Sequence, residues 1–167
     1  MIRDTWSYEG NSGEVYLRKD LGLDDVDIVK SHVLAYEDDL MCVLKSLQHD
    51  RIELPGGTVE DGESAISCLE REVWEGANIK IHNIQLLGVV EITYDNPHSV
   101  YGDKRFEAKF YADIKQVSSL TTDPAGGEYK RLFVEDIKDV DWFLKPFIKE
   151  MKVRDELFRL SKEYNSH

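Results

Sequence analysis

The 167-residue sequence predicts a single layered α/β domain. Three observations predict it. Runs rich in β-branched and aromatic residues recur along the chain, one helical pattern interrupts them near the middle, and a second closes the sequence. A hydrophobic content of 41% suffices for a globular core, and its short apolar runs cannot span a bilayer. There is no internal repeat, low-complexity tract or long linker.

Residues 1–27 are polar and glycine-containing, with Trp6, Tyr8 and Tyr16 as anchors. They read as an N-terminal extension that adds a strand or a dimer contact to a domain covering residues 28–167. Asp27–Tyr36 and Leu40–Ser46 are β-rich and joined by Glu37-Asp38-Asp39, the pattern of a hairpin. Arg51-Ile52-Glu53-Leu54 is a short strand, stopped by Pro55-Gly56-Gly57. Ser64 is an N-cap for a helix from Ala65 to about Gly76, with Ala65, Ile66, Leu69, Val73 and Ala77 as its apolar stripe. Asn78 follows where a left-handed residue ends a helix. Strands are expected at Ile84–Tyr94, Arg105–Ile114 and Tyr129–Val134, separated by polar loops. A terminal helix runs from about Pro146 to Tyr164, with Phe147, Met151, Leu157, Leu160 and Tyr164 facing inward.

Composition narrows the function. A net charge of −12 argues against nucleic-acid polymers as partners, because a polyanion is repelled. It leaves small phosphate ligands open, since a carboxylate cluster recruits a divalent cation that then attracts phosphate. Cys42 and Cys68 make no disulfide framework and read as buried free thiols. The five histidines show no metal-ligand spacing, so any metal would be held by oxygen. Met1 leads into a polar stretch with no signal-peptide core behind it, and the expectation is a cytosolic protein with no membrane partner.

The chemistry concentrates in Leu54–Ile79, LPGGTVEDGESAISCLEREVWEGANI. Its glycines let a loop pass close to a ligand. Glu72 and Glu75 are three residues apart on the expected helix, so both project to one side and flank the apolar stripe. Two carboxylates so placed suit Mg²⁺ or Mn²⁺ bound to a diphosphate, or one of them orients an attacking water. A solvated helix face is the plain alternative for both.

This segment resembles the signature of the Nudix hydrolase family: Gly, five residues, Glu, seven residues, then Arg-Glu-apolar-X-Glu-Glu-X-Gly-apolar. Gly57, Glu63, Arg71, Glu72, Val73, Glu75 and Ile79 match it. Two positions depart: Gly76 stands where the second glutamate of the pair belongs, and Asn78 replaces the final glycine. The resemblance implies a Nudix-like α/β/α sandwich with a mixed β-sheet. It implies a metal-dependent pyrophosphohydrolase, using Mg²⁺ or Mn²⁺, that cuts a nucleoside diphosphate linked to another moiety. Glu72 and Glu75 would be the catalytic and metal-binding carboxylates, Gly57 a further metal ligand, and Glu63 and Arg71 an ion pair tying loop to helix. Glu128 resembles in position a carboxylate that the family supplies from a distant loop, with a plain loop residue as the alternative. Arg51 is a candidate phosphate contact, and His98 and Tyr101 could line a base or ribose pocket, although surface or loop roles account for all three. Glycine at 76 offers no side-chain oxygen. Either a neighbour such as Glu60, Glu107 or Glu128 compensates, or turnover is slow, or the chain is a nucleotide-binding or regulatory module without catalysis.

Overall fold

A computed structural model of the chain describes residues 2–48, 50–95, 102–118, 129–140 and 151–166. His98, Tyr101, Glu128, Pro146 and Phe147 lie outside the described residues. Ile2–Tyr8 (β1) and Asn11–Arg18 (β2) form a hairpin. It turns at Glu9 and Gly10, both at positive φ, as the twist of paired strands favours. Ile28–Glu37 (β3) and Leu40–Ser46 (β4) form a second hairpin around Asp38, again at positive φ. Ile52–Glu53 (β5) and Gly56–Thr58 (β6) are short, and helix Ala65–Ala77 (α1) follows. Ile79–Thr93 (β7), Lys104–Val117 (β8), Tyr129–Val134 (β9), a 3-10 turn at Ile137–Asp139 and helix Lys152–Asn165 (α2) complete the order.

The strands share one sheet in the order β1-β2-β7-β8-β3-β4-β5, with β6 paired to β3 and β9 to β4. β3 runs parallel to β8 and the other pairs are antiparallel, so the sheet is mixed. Alternation along β3 divides the core. Val33 and Ala35 pack with Leu69, Val73 and Ala77 of α1, while Leu34 and Tyr36 pack with Val153 and Leu157 of α2. Two helices on opposite faces make the expected α/β/α sandwich. Among the described residues no helix is long and apolar enough to cross a membrane.

Local chemistry explains the helix ends. The Ser64 side chain accepts from the Ser67 backbone N–H, and Asn78 closes α1 in the left-handed conformation. β7 begins directly after Asn78, five residues before the expected Ile84. Register shifts between Lys80 and Ile81 and between His82 and Gln85, with Asn83 at positive φ, hide this stretch from a strict period of two. On α1, Cys68 is buried while Ile66 is half exposed, because the first turn borders a cleft lined also by Leu23, Val26 and Val59. On α2, Val153, Leu157 and Ser161 are buried. Tyr164, expected inside, is largely exposed and stacks on Tyr111 at 5.5 Å.

α2 has no side-chain cap of its own at Met151. Asp4 of β1 supplies one instead. Its two carboxylate oxygens accept from the Lys152 and Val153 backbone N–H groups, each at 2.8 Å. A buried carboxylate at a helix N-terminus satisfies orphan donors and complements the helix dipole. Replacing Asp4 with alanine should therefore destabilise the chain by about 1–2 kcal/mol, lowering Tm by roughly 2–4 °C per kcal/mol. Thermal unfolding followed by circular dichroism checks this, and an unchanged Tm would remove Asp4 from the account of α2.

Candidate active site

The site is built where β6 crosses the flank of α1. β6 pairs with β3 through Lys30–Thr58, Ser31–Gly57 and His32–Gly56, and Ser31 Oγ donates to the Ala65 carbonyl at 3.0 Å. Successive residues of an extended strand face opposite sides. A side chain at Gly57 would overlap the Glu72 carboxyl group, with its oxygens 2.6 and 2.8 Å from a Cβ built there. Gly57 is thus glycine because the Glu72 carboxylate lies directly against its Cα. The Gly57 carbonyl also faces α1, where the Cys68 thiol lies 3.6 Å away. Burial, reinforced by the Glu63 charge, pushes that thiol up to about 11, so it stays protonated and donates.

One guanidinium organises the charges. Arg71 binds Glu63 through Nε (2.8 Å) and Nη2 (3.1 Å), and Nη2 also donates to the Thr58 carbonyl at 3.3 Å. Its remaining nitrogen, Nη1, lies between Glu72 (3.0 Å) and Glu75 (3.1 Å), and Glu60 approaches Nη2 at 3.7 Å. The paired hydrogen bonds from Arg71 hold the Glu63 carboxyl down to about 2, and the surrounding carboxylates raise the Arg71 guanidinium further.

Glu72 and Glu75 therefore converge on a single cationic atom. Their donors are hard oxygens, as Mg²⁺ and Mn²⁺ prefer, and the Glu72 carboxylate lies against Gly57. Among the described residues no group of three carboxylates, imidazoles or thiols is arranged to hold a metal ion. The residues present fit a divalent cation as a partial set, and Glu128 lies outside the described residues. Gly76 is in the last turn of α1, where a Cβ would make only ordinary contact with Leu44 at 3.5 Å. Arg51 stands apart from the Arg71 cluster, half exposed and 3.4 Å from Glu53.

Glu107 is placed differently from the other carboxylates considered. Phe106, Ala108 and Phe110 of β8 face α1, so Glu107 and Lys109 between them point to the other side of the sheet. There Glu107 is 1% exposed, paired with Lys109 and Arg105 at 2.9 Å each. The approach of Arg105 is too oblique for a hydrogen bond. Glu107 is engaged in that cluster, on the far side of the sheet from Glu72 and Glu75. Burial opposes its charge, but the two cations hold it down to about 2. Lys109 in turn lies 2.8 Å from His32 Nδ1, and burial holds the His32 imidazole at about 3, hence neutral. Sequence reasoning missed this cluster. Its signal is Arg105, Glu107 and Lys109 at every second position, which reads as the wet face of a strand.

A mixed sheet between two helices, with a glycine loop packed against the carboxylates of α1, defines an α/β sandwich with its candidate site beside that helix. The chain matches the NUDIX domain over residues 30–152 and belongs to the Nudix family. It is 38% identical over 65 residues to diphosphoinositol polyphosphate phosphohydrolase 3-alpha of Mus musculus, a match covering 39% of this chain and 40% of that protein. Its fold is similar to the pyrophosphohydrolase BsRppH of Bacillus subtilis, with a TM-score of 0.70 and 21% identity over 98% of both chains. A UDP-X diphosphatase superposes with a TM-score of 0.60 and 16% identity, over 83% of this chain and 65% of that one.

The Glu63–Arg71 pair carries a pH signature. Because folding lowers the Glu63 pKa from 4.5 to about 2, its contribution to stability is complete above pH 4.5 and disappears as pH falls through 2. The Tm of Glu63→Gln should lie below that of the parent at pH 6, and the gap should close steadily between pH 4.5 and 2. A gap that does not depend on pH would show that the ion pair does not hold the loop.

Proposed function

We propose that the chain is a metal-dependent pyrophosphohydrolase acting on a nucleoside diphosphate linked to another moiety. The observation that carries this reading is the convergence of Glu72 and Glu75 on one cationic atom beside Gly57. The relatives described above lend support, since they are a phosphohydrolase, a pyrophosphohydrolase and a diphosphatase. Arg71 holds Glu63 with Nε and Nη2 only, so Nη1 can leave Glu72 and Glu75 while the loop stays tied to the helix. Glu72, Glu75, the Gly57 carbonyl and Glu128 would hold Mg²⁺ or Mn²⁺, which would supply charge neutralisation to the diphosphate. In this reading one of the two carboxylates orients or deprotonates the attacking water, and the 60% exposure of the Glu75 side chain supports Glu75 while Glu72 packs against Gly57. Arg51 is assigned a phosphate contact on the substrate side. The same reading makes the protein cytoplasmic, with residues 1–27 as an extension whose outer strand β1 is available for a dimer contact.

A second reading rests on Gly76, which offers no side-chain oxygen beside Glu75. In that reading the chain holds a nucleotide with little or no turnover. A screen of nucleoside triphosphates, nucleotide sugars, ADP-ribose and dinucleoside polyphosphates with Mg²⁺ separates the two.

Under the enzymatic reading, activity requires Mg²⁺ or Mn²⁺ and vanishes in excess EDTA. Glu75→Gln should lower kcat by about a hundredfold or more, the loss of several kcal/mol of charge stabilisation, while Tm stays near the parent value. Undiminished turnover in either experiment overturns the mechanism. Gly76→Glu should change metal-free stability little, since repulsion of about 0.2–0.5 kcal/mol per like-charged helix pair is offset by removing a helical glycine that costs about 1 kcal/mol. With Mg²⁺ the variant should gain Tm and turnover. If calorimetry finds no tighter metal binding and activity does not rise, the binding-module reading is the better one.

A further inference from the structure

The glycine pair of β6 has a tight contact on each of its two sides. On one side Gly57 lies against the Glu72 carboxylate, with no room for a Cβ. On the other side Gly56, at φ +146°, lies against β3. A Cβ there would overlap the Ser31 carbonyl oxygen and sit 2.9 Å from His32 Cδ2. Two residues of bare backbone thus separate the His32 ring from Glu72. Close-packed contacts without slack pass on displacements of a few tenths of an ångström.

The His32 ring is itself held from behind. Lys109 Nζ lies 2.8 Å from His32 Nδ1 and 2.9 Å from Glu107 Oε1, and Arg105 Nε lies 2.9 Å from Glu107 Oε2. Lys109 is 0% exposed. Burial lowers the Lys109 pKa and the Glu107 carboxylate opposes that, and an ammonium held there donates to His32 Nδ1. Burying such a pair gives little net stability compared with apolar residues of the same volume, which makes fixed geometry the better account of its presence.

We propose that His32, fixed by the buried Lys109–Glu107 pair, is a positioning residue that sets the Glu72 carboxylate through the Gly56–Gly57 backbone. The inference rests on the metal-dependent reading of Glu72 given above. Its action is indirect: His32 holds the loop, and the loop holds the ligand. Residues acting one shell out from a metal typically change its affinity by about 10–100-fold.

The experiment uses the full chain and Mn²⁺ alone as the probe. Glu107→Gln combined with Lys109→Met removes both charges at near-constant volume, and should weaken Mn²⁺ binding about tenfold by electron paramagnetic resonance. His32→Leu should do the same, whereas His32→Gln keeps an oxygen to accept from Lys109 and should stay close to the parent. If the double variant unfolds, the two His32 variants carry the test. In the metal-free chain the Glu72 carboxyl carbon resonance should move in the double variant and in His32→Leu, and remain in place in His32→Gln. Mn²⁺ affinity unchanged in folded variants, or a Glu72 resonance that does not move, overturns the positioning role. A parent chain that binds no Mn²⁺, yet whose Glu72 resonance follows His32, overturns the metal reading and leaves the positioning intact.

Discussion

The Arg71 guanidinium is the contact on which the site depends. Glu63, Glu72 and Glu75 lie within 3.1 Å of its nitrogens, in a chain already carrying a net charge of −12. Without it, three carboxylates on one loop and one helix face would repel each other, and the loop would lose its charged tie to α1 while keeping its pairing to β3 and the Cys68 contact. The flat, five-donor geometry of arginine makes this possible. Two nitrogens fix the loop and the third gathers the pair of carboxylates, a division that a lysine could not make.

The rest of the molecule places that guanidinium. β3 carries β6 on one side and β8 on the other, and α1 lies across β3 and β6 with Leu69 and Val73 in the core. The glycine pair makes the close approach of sheet and helix possible. Charge is handled twice in this arrangement, once at the half-open edge around Arg71 and once in the interior around Lys109. The first arrangement leaves carboxylates within reach of a ligand, and the second locks them away.

How much of this the sequence revealed follows from which signals are local. The hairpin at Asp38, the Ser64 cap, the Asn78 stop and the spacing of Glu72 and Glu75 are written in neighbouring residues, and each has its expected place. β7 was legible only in its second half, because bulges around Asn83 break the alternation that marks a strand. The cluster at Arg105, Glu107 and Lys109 was read past for the opposite reason. Its alternation is perfect, but the face it marks is buried, and burial is a property of the other elements. Asp4 is the extreme case: nothing near it in sequence hints that it caps a helix 148 residues later.

That cap also bears on the order in which the chain acquires its structure. A contact across 148 residues carries a large loop-closure entropy, and such contacts form late. During synthesis β1 and β2 emerge long before α2 exists, so the Asp4 carboxylate must wait in water, where it is well solvated, until α2 has left the ribosome. The α2 side of the sheet, with Val90, Ile92 and Tyr111 packed with Val153 and Leu157, is enclosed only once α2 is in place. A product cut short before residue 152 would carry an intact glycine loop and α1 on a sheet with an uncovered apolar face, the kind of species that chaperones and proteases recognise.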